Sequence, residues 1–248
     1  MVPKFPWKGG GTMSLPFEIT PTDLIEWWHY EKKHNFPAFT ILRPGLCMGF
    51  IAIVVLSTLA IDPTVPLFPK AVLAGVGMAL VAGAGSAIND YFDYQVDCSI
   101  HPWRLLPQGF LTPQEAWGYS LGVFLLSFLF LFLVNLTAFI AGIVAGIALF
   151  VYSWKLRKIN GLASHIVIAL IVGTTCAFGA VISGKVNEIA IILFLSGFLI
   201  SLANEIANAA TDMEGDRIAN LKTLPIIIGA RKSFLVSALT LLLLLTFT

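Results

Sequence analysis

The sequence predicts an all-α integral membrane protein, a multi-helix transmembrane bundle of about seven spans, and three observations carry that reading. Hydrophobic residues make up 57% of the 248 and charged residues 12%, where an ordinary soluble domain carries roughly a quarter charged residues. Apolar runs near the ~20 residues that cross a hydrocarbon core recur along the chain. Carboxylate, amide and basic clusters punctuate the ends of those runs. The mean hydropathy of +0.86 agrees.

In chain order, residues 1–38 read as an N-terminal extension and residues 39–248 as the transmembrane domain. The stretch Met1 to Thr12, with Gly9-Gly10-Gly11, is expected to be flexible and has no signal-peptide pattern. Asp23 to Phe36 sets Trp27, Trp28 and Tyr30 beside Lys32, Lys33 and His34, a mixture suited to the headgroup level. An interfacial helix and a plain linker both fit it. Spans are then expected at about Phe39–Ile61, Ala71–Ile88, Trp117–Val134, Thr137–Tyr152, Ala163–Ile182, Ile189–Ala210 and Ser233–Thr248. Small residues at Ala82-Gly83-Ala84-Gly85, and at Gly142 and Gly146, let helices approach closely and predict a compact bundle.

Basic residues give the orientation. With the N-terminus in the cytoplasm, inside segments hold 13 of the 15 lysines and arginines, and only Lys70 and Lys185 fall outside. The positive-inside rule therefore places the N-terminus, and the loops after the second, fourth and sixth spans, in the cytoplasm. A net charge of +1 and the lack of any basic stripe leave no case for nucleic acid as a partner. Cys47, Cys98 and Cys176 are too few for a disulfide framework, and His29, His34, His101 and His165 have no zinc or di-iron spacing. His165 reads as a packing or interfacial residue.

The chemistry concentrates in two stretches on the cytoplasmic side. The first, Asn89-Asp90-Tyr91-Phe92-Asp93-Tyr94-Gln95-Val96-Asp97, ends the second span. On a helix Asp90, Asp93 and Asp97 share one face, and three adjacent carboxylates repel unless a cation joins them. An all-oxygen cluster favours Mg²⁺, which commonly binds through carboxylates and a substrate's phosphates. The second stretch places Asn204, Asn208, Asp212 and Asp216 four residues apart at the end of the sixth span, a stripe that must face protein or water. Asn89, Asp93 and Asp97 map onto Asn204, Asn208 and Asp212 at one constant offset, as a parallel internal repeat would arrange them. Arg104, Lys155, Arg157 and Lys222 follow these spans and are the candidate phosphate donors, ahead of Lys158, Arg231 and Lys232.

These residues carry a family resemblance. Asn89 to Asp97 resembles the NDxxDxxxD motif of UbiA-type intramembrane prenyltransferases, and Asp212 to Asp216 their DxxxD motif. Arg104, Pro107 and Gly109 fit the loop after the first motif. Glu214-Gly215-Asp216-Arg217 with Thr223-Leu224-Pro225 resembles the branch of chlorophyll synthases and digeranylgeranylglyceryl phosphate synthases. The resemblance covers about Ile41 to Gly229. It implies a helical bundle with a central cavity opening to the cytoplasmic side and to lipid, Mg²⁺ as cofactor, an isoprenyl diphosphate donor and a lipophilic acceptor within the bilayer. Asp90, Asp93, Asp97, Asp212 and Asp216 are then the metal-binding and catalytic set. Asn89, Asn208, Arg104, Tyr152, Lys155, Arg157 and Lys222 are the substrate-binding set, with Arg104 and Lys222 turned inward on loops that cap the cavity. Tyr91, Phe92 or Tyr152 could stabilise an allylic cation.

The chain departs from the family at defined positions. Arg43-Pro44-Gly45-Leu46 lacks the Asn usual two residues after that proline, and Ala209 stands where an Asp is frequent. These positions bear on the acceptor more than on the donor. The family usually has nine spans and this sequence ends in a seventh, which implies further C-terminal helices. Two other readings stay open: a membrane terpene cyclase that ionises the same donor, and an ion-coupled transporter, whose acids would sit nearer the bilayer midplane.

Overall fold

The computed structural model describes residues 5–6, 12–13, 36–218 and 221–246. The chain divides into two units, Met1–Phe36 and Pro37–Thr248. In the first, β1 (Phe5–Pro6) pairs antiparallel with β2 (Thr12–Met13). The interfacial segment expected before Phe36 lies outside the described residues.

The second unit is helical. After α1 (Pro37–Thr40) and α2 (Pro44–Ile61), a kinked turn at Leu67–Ala71, extended at Phe68, leads into α3 (Val72–Ile100). Then come α4 (Pro113–Val134) and α5 (Leu136–Val151), the latter continued by a π-helical turn, Tyr152–Leu156, and a last turn at Arg157–Ile159. α6 (Gly161–Cys176), α7 (Phe178–Ser183) and α8 (Glu188–Thr211) follow. α9 (Met213–Ile218), α10 (Leu224–Ile228) and α11 (Ala230–Leu242) close the chain.

Local sequence sets these boundaries. Proline begins α2 and α4, where a missing N–H costs nothing, and Thr112 with Glu115 forms a reciprocal capping box on α4. Asn135, Asn160 and Asn187 each accept from a backbone N–H three residues on and so cap α5, α6 and α8. Asn135 is both the end of α4 and the cap of α5, so a single extended residue reverses the chain between two spans.

Among the described residues five helices are long and apolar enough to cross a membrane: Pro44–Ile61, Leu67–Ser99, Pro113–Val134, Leu136–Ile159 and Glu188–Thr211. The other two expected spans are shorter helices. The run expected as Ala163–Ile182 breaks at Ala177 into α6 and α7. The break seats Gly179 on α2, where an added Cβ would lie 2.6 Å from the Thr58 Cα. The last span is α11, of 13 residues, followed by a 3₁₀ turn.

α3 is the axis of the bundle: 67% of its apolar window is buried, against 22–33% for the other long helices. Its small residues make this possible. A Cβ on Gly77 would meet Leu131 of α4 at 2.7 Å, and one on Gly85 would meet Leu149 of α5 at the same distance. Ser120 of α4 donates to the Ala84 carbonyl at 2.9 Å, the kind of short polar link that joins close helices in a bilayer.

The up-and-down connectivity gathers the turns at two ends. At one end Lys185 holds Asp62 at 2.7 Å, Asn187 donates to the Ile61 carbonyl and Asn135 to that of Ile182. The Lys185 ammonium and the Thr64 hydroxyl hold the Asp62 carboxyl down to about 2. The opposite end carries both acidic motifs.

Candidate active site

The site is built on the last three turns of α3. Asp90, Asp93 and Asp97 project from one side, as their spacing requires, and each is met by a different arginine from another part of the chain. Arg43, before α2, donates to Asp90 at 2.9 Å. Arg157, in the turn after α5, donates to Asp93 at 2.5 Å. Arg104, in the loop after α3, donates to Asp97 at 2.7 Å and comes within 3.7 Å of Asp90. Asn89 donates its amide to Asp93 at 3.0 Å, which fixes the carboxylate's orientation.

Arg157 also joins the two motifs. Its second guanidinium nitrogen lies 3.8 Å from Asp216, so one side chain spans from α3 to α9. A cavity of about 280 Å³ lies between them. Asn89, Asp93 and Asp97 line it from α3, Thr211, Asp212, Gly215 and Asp216 from the second motif, and Arg43, Arg104 and Arg157 from the loops. Burial pushes the Asp216 carboxyl above the ordinary carboxylate range, opposed by Thr223 and Arg157. Asp212 differs. It is exposed, and no ion pair reaches it among the described residues.

The other expected residues fall around this core. Asp90 is buried behind the cavity wall, between Arg43 and Arg104. Tyr152 is half-buried within electrostatic reach of Arg157, Asp93 and Asp216. Lys155 is exposed, with its ammonium 5.8 Å from the Trp154 ring, and is not among the cavity-lining residues. Lys222 is exposed and also absent from the lining, so of the two expected inward-pointing caps only Arg104 reaches the cavity. Asn204 and Asn208 are exposed on α8, outside the lining. Tyr91 and Phe92 pack away from the acids, with Tyr91 5.1 Å from Trp117 and Phe92 5.7 Å from Phe150.

Arg43 was absent from the expected set. It is the one non-glycine described with a positive φ, 53°, a left-handed conformation that costs about 1–3 kcal/mol and is strained further by the proline that follows. The strained turn aims its guanidinium at Asp90. Its signal was Arg43-Pro44 at the mouth of the first span. His101 also lines the cavity, its ring 5.1 Å from Trp103.

Carboxylates with one amide form an all-oxygen donor set, which suits a hard cation such as Mg²⁺. Among the described residues no three acidic, histidine or cysteine side chains are gathered as a ready-made metal cluster. Guanidinium groups stand among the acids instead, and the same forks are suited to hold a polyphosphate.

Comparison with known proteins agrees with this arrangement. The model of the UbiA prenyltransferase family matches residues 49–248. The digeranylgeranylglyceryl phosphate synthase of Thermococcus kodakarensis is 34% identical over 206 residues, 83% of this chain and 74% of that protein. Its counterpart from Methanosphaera stadtmanae is 31% identical over 204 residues, 82% of this chain and 73% of that protein. A solved structure from work on digeranylgeranylglyceryl phosphate synthase in membranes superposes with a TM-score of 0.70 at 26% identity, covering 85% of this chain and 74% of that one. A UbiA homologue from Archaeoglobus fulgidus, solved with GPP and Mg²⁺, shares the fold at a TM-score of 0.70 and 23% identity, with 85% and 75% of the two chains covered. The chain belongs to the UbiA prenyltransferase family.

Proposed function

We propose that the chain uses Mg²⁺ to transfer an isoprenyl group from an allylic diphosphate to a free hydroxyl of a lipid acceptor, a prenylated glyceryl phosphate by the names of its relatives. The observation that carries this reading is Arg157, which contacts both Asp93 and Asp216 and so brings both motifs to one cavity. Bound at these carboxylates, Mg²⁺ would neutralise charge developing on the departing diphosphate. Asp93, Asp97, Asp212 and Asp216, with Asn89, are the side chains available to hold it, and Asp90 supports them from behind through Arg43 and Arg104. Arg43, Arg104 and Arg157 present guanidinium forks toward the same space and bind outer phosphate oxygens, an electrostatic arrangement already in place before the bond breaks. Arg104 also ties the loop after α3 to Asp97 at the cavity, where the loop would help keep water from the allylic cation.

Supplying purified chain with geranylgeranyl diphosphate, Mg²⁺ and geranylgeranylglyceryl phosphate tests this reading. A prenyl ether product that disappears with chelator is expected. An acceptor-free cyclic hydrocarbon would favour the cyclase instead.

We also propose that the site end of the bundle faces the cytoplasm, because by sequence 13 of the 15 basic residues fall in segments that the positive-inside rule assigns to the cytoplasm, leaving Lys70 and Lys185 outside. Cys98 is exposed at that end, and a membrane-impermeant maleimide should label it in inside-out vesicles but not in intact cells. Labelling in intact cells would reverse the orientation.

A further inference from the structure

Two helical turns below Asp212, toward the bilayer interior, a second polar pair has no part in the account above. Glu205 of α8 lies 3.5 Å, through its Oε2, from Nδ1 of His165 on α6. The His165 side chain is 7% exposed and that of Glu205 24%, so the carboxylate is open on one side and the imidazole is enclosed behind it. Among the described residues both ring nitrogens of His165 are buried without a hydrogen-bond partner. An enclosed imidazole left so is costly, and an ionisable pair on membrane helices marks a working position more often than a packing one.

The pair lies outside the cavity lining but close to it. Glu205 and Asp212 are seven residues apart, so they share a helix face with a rise of about 10 Å between them. Glu205 is within electrostatic reach of Tyr152, and His165 within reach of Asp216. That drop leaves room for a donor held at Asp212 and for an acceptor hydroxyl hydrogen-bonded to Glu205. The open side of Glu205 is therefore within reach of an acceptor hydroxyl that approaches the allylic carbon from below Asp212.

We propose that His165 is a positioning residue for the acceptor: it holds the Glu205 carboxylate toward the acceptor's hydroxyl. This inference rests on the prenyl-transfer reading above. In the transfer step the bond from the allylic carbon to the diphosphate oxygen breaks, and its electron pair leaves with the diphosphate. The acceptor oxygen forms the new carbon–oxygen bond, and its proton passes to the Glu205 carboxylate. Among the described ion pairs of Asp90, Asp93, Asp97, Asp216 and Glu205, only that of Glu205 is made to histidine rather than arginine, so no permanent cation competes with the acceptor's hydroxyl for it.

The test uses the full chain with Mg²⁺, geranylgeranyl diphosphate and geranylgeranylglyceryl phosphate. Three quantities are followed: donor affinity, release of prenyl alcohol without acceptor, and transfer. His165→Leu should lower the kcat of transfer about 30-fold, in the range lost when a group orienting a functional ligand is removed, while donor affinity and alcohol release stay at wild-type levels. His165→Asn, whose amide can still donate to Glu205, should restore transfer to within about 3-fold of wild type. In the Glu205→Gln background His165→Leu should have no further effect, because the residue acts through that carboxylate. Wild-type transfer by His165→Leu would overturn the proposal. So would a parallel fall in donor affinity, or an undiminished His165→Leu effect in the Glu205→Gln background. If the wild-type chain itself shows neither Mg²⁺-dependent alcohol release nor transfer, the prenyl-transfer reading has failed and takes this one with it.

Discussion

The two acidic motifs face one cavity but are held differently. On α3, Asp90, Asp93 and Asp97 each touch a guanidinium at 2.5–2.9 Å. In the second motif the described ion pair is the 3.8 Å reach of Arg157 to Asp216, and Asp212 is exposed without one. A carboxylate already hydrogen-bonded to arginine must be released before it ligates a cation, whereas Asp212 requires no such exchange. The first motif is a charge-balanced wall and the second an open edge. Asp212 would therefore be the carboxylate most open to a metal ion, and the α3 acids would ligate it only where their arginines are given over to diphosphate.

The largest expected effect is at the residue common to both motifs. Arg157→Ala leaves Asp93 without its cation and breaks the link to Asp216, so kcat/KM for the donor should fall about 10³-fold, at the upper end for one oriented charge in a site. A loss of less than about tenfold would mean that the motifs act separately.

Next comes the contrast between the wall and the edge. Asp212→Asn and Asp93→Asn should each cost about 10²-fold in Mg²⁺-dependent turnover, but only Asp93→Asn should lower the melting temperature. It strands the Arg157 charge, and breaking a partly buried pair from one side destabilises, whereas Asp212 has no ion pair to lose among the described residues. Equal destabilisation by the two would erase the distinction.

Arg43 sharpens it further. Arg43→Gly and Arg43→Ala should both weaken donor affinity about tenfold through loss of one charge-assisted contact. The glycine variant should melt higher, since it adopts a φ of 53° without strain. A higher melting point for alanine would argue against that left-handed turn.

The smallest effect lies at the opposite end of the bundle. Lys185→Met should leave turnover unchanged and lower the melting temperature slightly at neutral pH. Because Lys185 depresses the folded-state Asp62 value to about 2, below its ordinary 3.8, this contribution is present above the ordinary value and is lost as pH falls through about 2. The gap between variant and wild type should therefore close from about pH 4 to pH 2. A gap that widens on acidification would contradict that sign.

Much of this was legible in the chain. Three aspartates at i, i+3 and i+7 dictate one face on any helix, and the matching polar stripe at the end of α8 told which helix would meet it. Residues in the same basic run were harder to tell apart. Lys155 and Arg157 look equivalent by spacing, but the π-helical turn at Tyr152–Leu156 adds a residue to the turn, with Arg157 brought to Asp93 and Lys155 left exposed. Arg43 escaped because its role depends on a left-handed turn that neither propensity nor periodicity predicts. The break at Ala177 was hidden because an apolar run reads the same whether or not Gly179 must seat against Ser57 and Thr58. His165 looked like a packing residue because its partner, Glu205, is supplied by another helix.

The central claim is that the two motifs bind one ligand together, and a double-mutant cycle measures it most directly. Mg²⁺-dependent binding of a non-ionising thiolodiphosphate analogue of the donor would be followed by calorimetry in wild type, Asp93→Asn, Asp212→Asn and the double variant. If both carboxylates serve one metal–diphosphate complex, the second substitution should add little to the first, with a coupling of about 1–3 kcal/mol. Losses that add to within about 0.5 kcal/mol would show two independent sites and contradict the account.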